Sequence, residues 1–183
     1  PGARATAYLD FIRDRFQAKP SPNIEAWTYL PDVFYAWNQN DRGWRYFQHV
    51  LDSRSGYPEV SFTVISHLAT RILGIEPDAP RRAVTTLGRL PAEVAWAQLD
   101  HVPVGANEIL VRHEDGNRRT TLVNHAGPDL TWEALFPGEH AVLLVDDAPQ
   151  TATAKTLHGT RVSGVTLKLK PGQRRVVKVA ASF

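Results

Sequence analysis

Cysteine is absent from the 183 residues, which excludes disulfides, thiolate zinc sites and a cysteine nucleophile. Methionine is absent too, even at position 1. The chain opens "PGARATAYLDFIRDRF", already in helical periodicity, so the expectation is a piece of a longer polypeptide whose beginning lies elsewhere. No apolar run approaches the ~20 residues of a membrane helix, and the opening residues carry no secretory signal pattern. The expectation is a soluble chain without a membrane partner, its compartment left open between cytoplasmic and secreted. Also missing are G-x-S-x-G, the P-loop, H-E-x-x-H and G-x-G-x-x-G, which weighs against a serine hydrolase, a nucleotide enzyme and a zinc peptidase. No cofactor is implied.

What is present is ordinary for a globular protein: 43% hydrophobic and 22% charged residues,. The formal net charge is +2. Positions 1–80 carry eight Lys/Arg against nine Asp/Glu, and positions 81–183 carry thirteen against ten. No face is basic enough to track phosphates, so a pI of 9.1 does not argue for a nucleic-acid partner.

The hydrophobic period changes once. Tyr8, Phe11, Ile12 and Phe16 recur at helical spacing,. "KPSPNIEAWTYLPD" is an irregular connection. Pro31 suits the first turn of a second helix through Phe34 and Trp37,. After "NQNDRG", a third helix carries Trp44, Phe47, Val50 and Leu51. A fourth, over 59–73, is apolar nearly all round, which predicts packing on more than one side. Gly74 is placed for a left-handed cap,. Beyond Pro80 the chain turns to short β-branched runs separated by "HEDGNR", "HAGPD", "PGEH", "DDAPQ" and "KPGQR",. This spacing predicts an antiparallel sandwich, with "VRHEDGNRRTTLV" its clearest hairpin. The expected organisation is α+β and multi-domain: a helical segment over 1–75, a linker over 76–83 and a β-sandwich over 84–183. Because the linker is short, the halves are expected to pack together. Helices this apolar need more cover than a sandwich offers, from sequence beyond this chain or from a partner chain.

Candidate chemistry concentrates in the helical half. Trp27, Tyr29, Trp37, Trp44 and Tyr57 are candidate substrate-binding aromatics, because sugar rings present C–H faces that stack on them. Glycoside hydrolysis needs two carboxylates. Glu59 follows Tyr57-Pro58 at a helix start, where the dipole keeps a carboxylate ionised, as suits a general base. It equally suits a Glu that only complements the dipole. Asp32, after Pro31, is a weaker catalytic candidate and also a helix-start residue. Asp41-Arg42 reads as a turn and cap, and His67 as a core histidine. His101, His113 and His125 fall twelve apart, which is no metal spacing. No metal site is expected.

"YPEVSFTVISHLATRILGIEPDAP" looks like a last barrel helix with its exit linker, and "ILVRHEDGNRRTTLVNHAGPDLTWEALFPGEH" like an appended sandwich. Together they resemble the C-terminal end of bacterial six-hairpin glycosidases. The resemblance implies the last helices of an (α/α)6 toroid followed by an antiparallel sandwich, with Glu59 at the position of the general base. No equivalent of the general acid stands here, so the implied function is an incomplete C-terminal portion of a glycoside hydrolase acting on an oligo- or polysaccharide. Two alternatives stay open. A toroid plus sandwich also serves polysaccharide lyases, where Tyr57 or a histidine would be the base. A non-catalytic carbohydrate-binding or structural module needs neither, and an aromatic row on the sandwich, where only Trp96 and Trp132 are available, would favour it.

Overall fold

The computed structural model describes residues 2–53, 56–157 and 159–180. Position 1 of the expected helical segment, residue 55 ahead of Tyr57, and positions 181–183 of the expected sandwich lie outside them. Five α-helical segments come first: α1 (Ala3–Ala18), α2 (Glu25–Thr28), α3 (Leu30–Ala36), α4 (Asn40–Asp52) and α5 (Pro58–Ser66). A π-helical turn, His67–Ile72, continues α5. Eleven strands follow: β1 (Ile75–Asp78), β2 (Ala83–Leu87), β3 (Trp96–Val104), β4 (Asn107–Glu114), β5 (Arg119–Ala126), β6 (Leu130–Pro137), β7 (Val142–Val145), β8 (Ala148–Thr151), β9 (Thr153–Leu157), β10 (Thr160–Leu169) and β11 (Arg174–Val179).

The strands form two facing sheets, ordered β1-β2-β6-β10-β9 and β3-β4-β5-β11-β7-β8. Alternation sets which side chains point inward: β4 alternates buried and half-buried along its whole length. The shared core takes Val84, Trp132, Phe136 and Leu167 from one sheet and Ile109, Val111, Leu122 and Val177 from the other. Trp132 donates its indole N–H to Thr86 Oγ1 at 2.9 Å, as a buried tryptophan requires.

The expected toroid end is not what the chain forms. The helical segments, 16, 4, 7, 13 and 9 residues long, make a small irregular cluster against the sandwich, and no ring of helix hairpins exists among the described residues. Breaks at Tyr29 and at Trp37–Gln39 leave α2 and α3 too short for stacked hairpins. Apolar residues of α3, α4 and the π-turn instead meet the sandwich: Tyr35, Phe47 and Ile72 pack with Leu90, flanked by Trp44, Leu68 and Val94. The expected all-round packing of 59–73 is absent as well. Val60, Ile72 and Leu73 are buried, while Phe62 is 70% and Ile65 64% exposed. The sandwich and the other helices cover one side only. The β half is not wholly antiparallel either, because β2 runs parallel to β6.

The stretch between the halves is structured. β1 pairs with β2 from Ile75↔Thr86 to Asp78↔Ala83. A helix end leaves its last carbonyls without internal partners. Here the sandwich supplies donors to four in succession. Arg89 Nη1 reaches Arg71 O at 3.3 Å, and the Arg89 N–H reaches Ile72 O at 2.9 Å. His113 Nε2 reaches Leu73 O at 2.9 Å, and the Leu87 N–H reaches Gly74 O at 3.2 Å. Gly74 sits at φ +54, and a Cβ there would lie 2.0 Å from Leu87 O; only glycine fits that crossing.

Candidate functional site

A concavity of about 650 Å³ lies where the helices meet the sandwich. Thr6 and Asp10 come from α1, Asn38 to Arg42 from the α3–α4 turn and the start of α4, and Leu90 to Ala92 with Gly116 and Asn117 from sandwich loops. The turns that supply these groups follow from local chemistry. Asp115, Gly116 and Asn117 all take positive φ in the β4–β5 turn, as Asp, Gly and Asn tolerate best. Asn117 clamps Leu90 with both side-chain atoms, accepting from its N–H at 2.7 Å and donating to its carbonyl at 2.9 Å. Asn38, also left-handed at φ 55, accepts from Arg89 Nε at 3.3 Å.

The charges in the cleft are held by neighbours. Asp10 Oδ1 accepts from Arg42 Nη1 and Arg13 Nη1, each at 2.9 Å. Arg42 Nη1 also reaches Gln39 Oε1 at 2.9 Å. Asp41 Oδ1 accepts from the Ala92 N–H at 3.0 Å. The nearby Arg89 is buried, and that burial lowers its pKa against the raising influence of Glu76. The walls therefore offer fixed acceptors and donors in a partly apolar recess, a geometry suited to hydroxyl recognition.

The residues singled out from sequence do not converge. Glu59 is exposed in the first turn of α5 and lines neither this cleft nor the aromatic cavity beneath it. Asp32 is half-buried and accepts from Arg71 Nε at 2.6 Å. His67 Nε2 lies 3.2 Å from the same oxygen, off the line of a good hydrogen bond, while His67 Nδ1 faces Thr63 O at 2.6 Å. Desolvation pushes the Asp32 carboxyl up, but His67 and Arg71 together outweigh it and hold the group below its ordinary 3.8. Asp32 thus ties α3 to the π-turn.

The aromatics scatter too. Trp27 lines the second cavity, between α1, α2 and α4, while Tyr29 is 71% and Tyr57 52% exposed. Trp37 lies with Tyr8 and Phe11 on a shallow apolar surface. Trp44 stacks on Phe47 at 5.6 Å and donates to Glu93 Oε1. On the sandwich, Trp132 is fully buried and the exposed Trp96 is covered by the Arg112 guanidinium at 4.3 Å, so the two form no aromatic row.

Of the cleft residues, the sequence marks Asp41-Arg42 as a turn and cap and Gly116-Asn117 as part of a hairpin turn. The amide density of "NQNDRG" and "HEDGN" was the available signal, but it identifies turns and not what the turns face. Asp10 carries no signal, being one of two acids on α1. Among the three histidines, His101 and His125 stack at 5.5 Å, each paired to a carboxylate, Glu108 or Asp100. His113 lies buried elsewhere in the sheet. Among the described residues no group of three or more His, Asp or Glu is placed to hold a metal ion, and no helix is long and apolar enough to cross a membrane.

The fold and cleft define a two-sheet sandwich with a docked helical cluster and a polar recess at their junction. No protein-family model matches the chain, and no curated protein sequence matches it.

Proposed function

We propose that this chain is the carbohydrate-engaging part of a glycoside-hydrolysing protein, with the junction cleft as its sugar site. The observation that supports this reading is the lining: Asp10, Asp41, Asn38, Gln39, Asn40, Arg42 and Asn117 around one recess. Vicinal sugar hydroxyls pair with carboxylates that accept, guanidinium groups that donate and amides that do both. Several of these groups are positioned by neighbours and keep a second atom for a ligand, Asp41 and Gln39 among them. The non-catalytic reading is favoured over acid/base chemistry within the chain because Glu59 stands outside the recess.

Calorimetric titration with a panel of neutral and acidic oligosaccharides tests it. The expected result is saturable binding to at least one member, weakened at least ~10-fold by Asp41→Asn, the loss of a charge-assisted bond, and more modestly by Gln39→Ala, the loss of neutral amide bonds. Absence of binding across the panel overturns the reading. Reducing-end release from any glycan that binds tests catalysis separately. If Glu59 is the base, Glu59→Gln lowers kcat by at least ~10²-fold with binding retained; unchanged turnover removes it.

A further inference from the structure

We propose that the cavity enclosed by α1, α2 and α4 binds a six-membered ring that carries a carboxylate. The cavity shares Arg42 with the junction cleft, but the proposal rests on Arg45 and the aromatic walls and does not depend on how the cleft is read. The cavity measures about 330 Å³, at the small end of ligand pockets and suited to a single ring.

Its walls are aromatic and held in place before any ligand arrives. Trp27 donates Nε1–H to Ser21 O at 2.9 Å, meets Phe16 edge-on at 5.1 Å and lies 4.0 Å from the His49 ring. Tyr46 is stacked on the buried Phe34 at 5.0 Å and 11°. Rings fixed this way lose little side-chain entropy on binding, and their faces accept a flat or C–H-rich partner.

Its charge is of one sign. Arg13, Arg42 and Arg45 line the cavity, and no Asp or Glu does. Arg13 is engaged by Asp10 and Asp14 and Arg42 by Asp10. Arg45 has no ion pair among the described residues, yet it stands on the α4 face that also carries Tyr46 and His49,. One unengaged guanidinium fork beside an aromatic wall matches one carboxylate, bidentate and coplanar. A neutral sugar finds few acceptors here. A purely apolar ligand has no use for the arginines, and a phosphoryl dianion asks for more than one unengaged fork.

Two sources share this chemistry, a uronate at the end of a glycan and a free aromatic acid. Titrations with glucuronate and with benzoate, against glucose and benzamide as neutral counterparts, separate them. The readout is the Trp27 indole N–H resonance in ¹H–¹⁵N spectra, assigned with Trp27→Phe. The expected result is a saturable shift with at least one acid and none with its neutral counterpart. Arg45→Gln, an exposed position that should fold normally, is expected to weaken binding at least ~10-fold, with Arg45→Lys in between. Glucuronate alone supports the glycan source, benzoate alone the aromatic acid, and both support a site that reads only ring and charge. Silence with both acids, equal binding of the neutral counterparts, or unchanged affinity in Arg45→Gln overturns the proposal.

Discussion

His113 shows how much one side chain does at the junction. Its Nε2–H caps the Leu73 carbonyl and its Nδ1 accepts from Thr120 Oγ1, both at 2.9 Å. Complete burial is the main force holding its pKa down, to about 4 from 6.5, against the raising pull of the Leu73 carbonyl. The neutral form is therefore the folded form. Its contribution is fully present above pH 6.5 and is lost as pH falls from there toward about 4, a penalty on the order of 3 kcal/mol once protonation is complete. Chemical denaturation between pH 7 and 4 should show this slope, and His113→Leu should remove it while lowering neutral-pH stability by ~1–3 kcal/mol, because it leaves a buried carbonyl unpaired. Asp32 acts in a lower window. Its depressed pKa contributes stability above 3.8 that is lost only as pH falls through the lower folded value. Asp32→Asn should therefore flatten the most acidic part of the stability curve and leave the His113 slope intact. His101 has the opposite sign: the Glu108 hydrogen bond, aided by Asp100, raises its pKa above 6.5. Its NMR titration midpoint is expected above 6.5 and should fall back in Glu108→Gln.

Among the elements, the π-turn and β1 are joined by a residue that must be glycine. Gly74→Ala places a methyl against Leu87 O at a positive φ, so it should cost at least ~2 kcal/mol, measured by thermal or urea unfolding. At Gly43 in α4, an added Cβ would sit 2.7 Å from the Tyr35 ring. Gly43→Ala gains ~1 kcal/mol of helix propensity and loses more to overpacking, typically 1–3 kcal/mol, for a net destabilisation. Much at this scale was legible in the chain. Pro31 stands early in α3, the "EDGN" turn closes β4 and β5, and Gly74 caps the helix, each forced by its own residue chemistry. The strands without a β-branched alternating run in the sequence are β1, β8 and β9, and all three are sheet edges. β1 and β8 contain prolines, Pro77 and Pro149, which edges tolerate, and β8 is exposed along its length. An edge with no buried face writes no alternation into the sequence, and "DDAPQ" therefore reads as a turn alone.

For the whole molecule, the four carbonyls of 71–74 answered by Arg89, His113 and Leu87 make the helices and sandwich depend on one another. Residues 1–74 expressed alone should retain some helical circular dichroism but lack cooperative unfolding and slow amide exchange, since Tyr35, Phe47 and Ile72 would lose Leu90,. A sigmoidal transition in that piece would show the dependence to be one-sided. The sequence by itself determined the change of period near Pro80 and the turns closed by Gly, Asn and Asp, because these follow from local sterics. Only the tertiary structure decided which turns meet. It brought Asp10, Asn38 to Arg42 and Asn117 to one cleft from three distant stretches, left Phe62, Ile65 and Glu59 on the surface, and replaced the expected toroid with a cluster docked on the sandwich. The physical reason is that apolar periodicity records how much of a helix can be buried, while the breaks at Tyr29 and at Trp37–Gln39 and the capping of 71–74 decide against what.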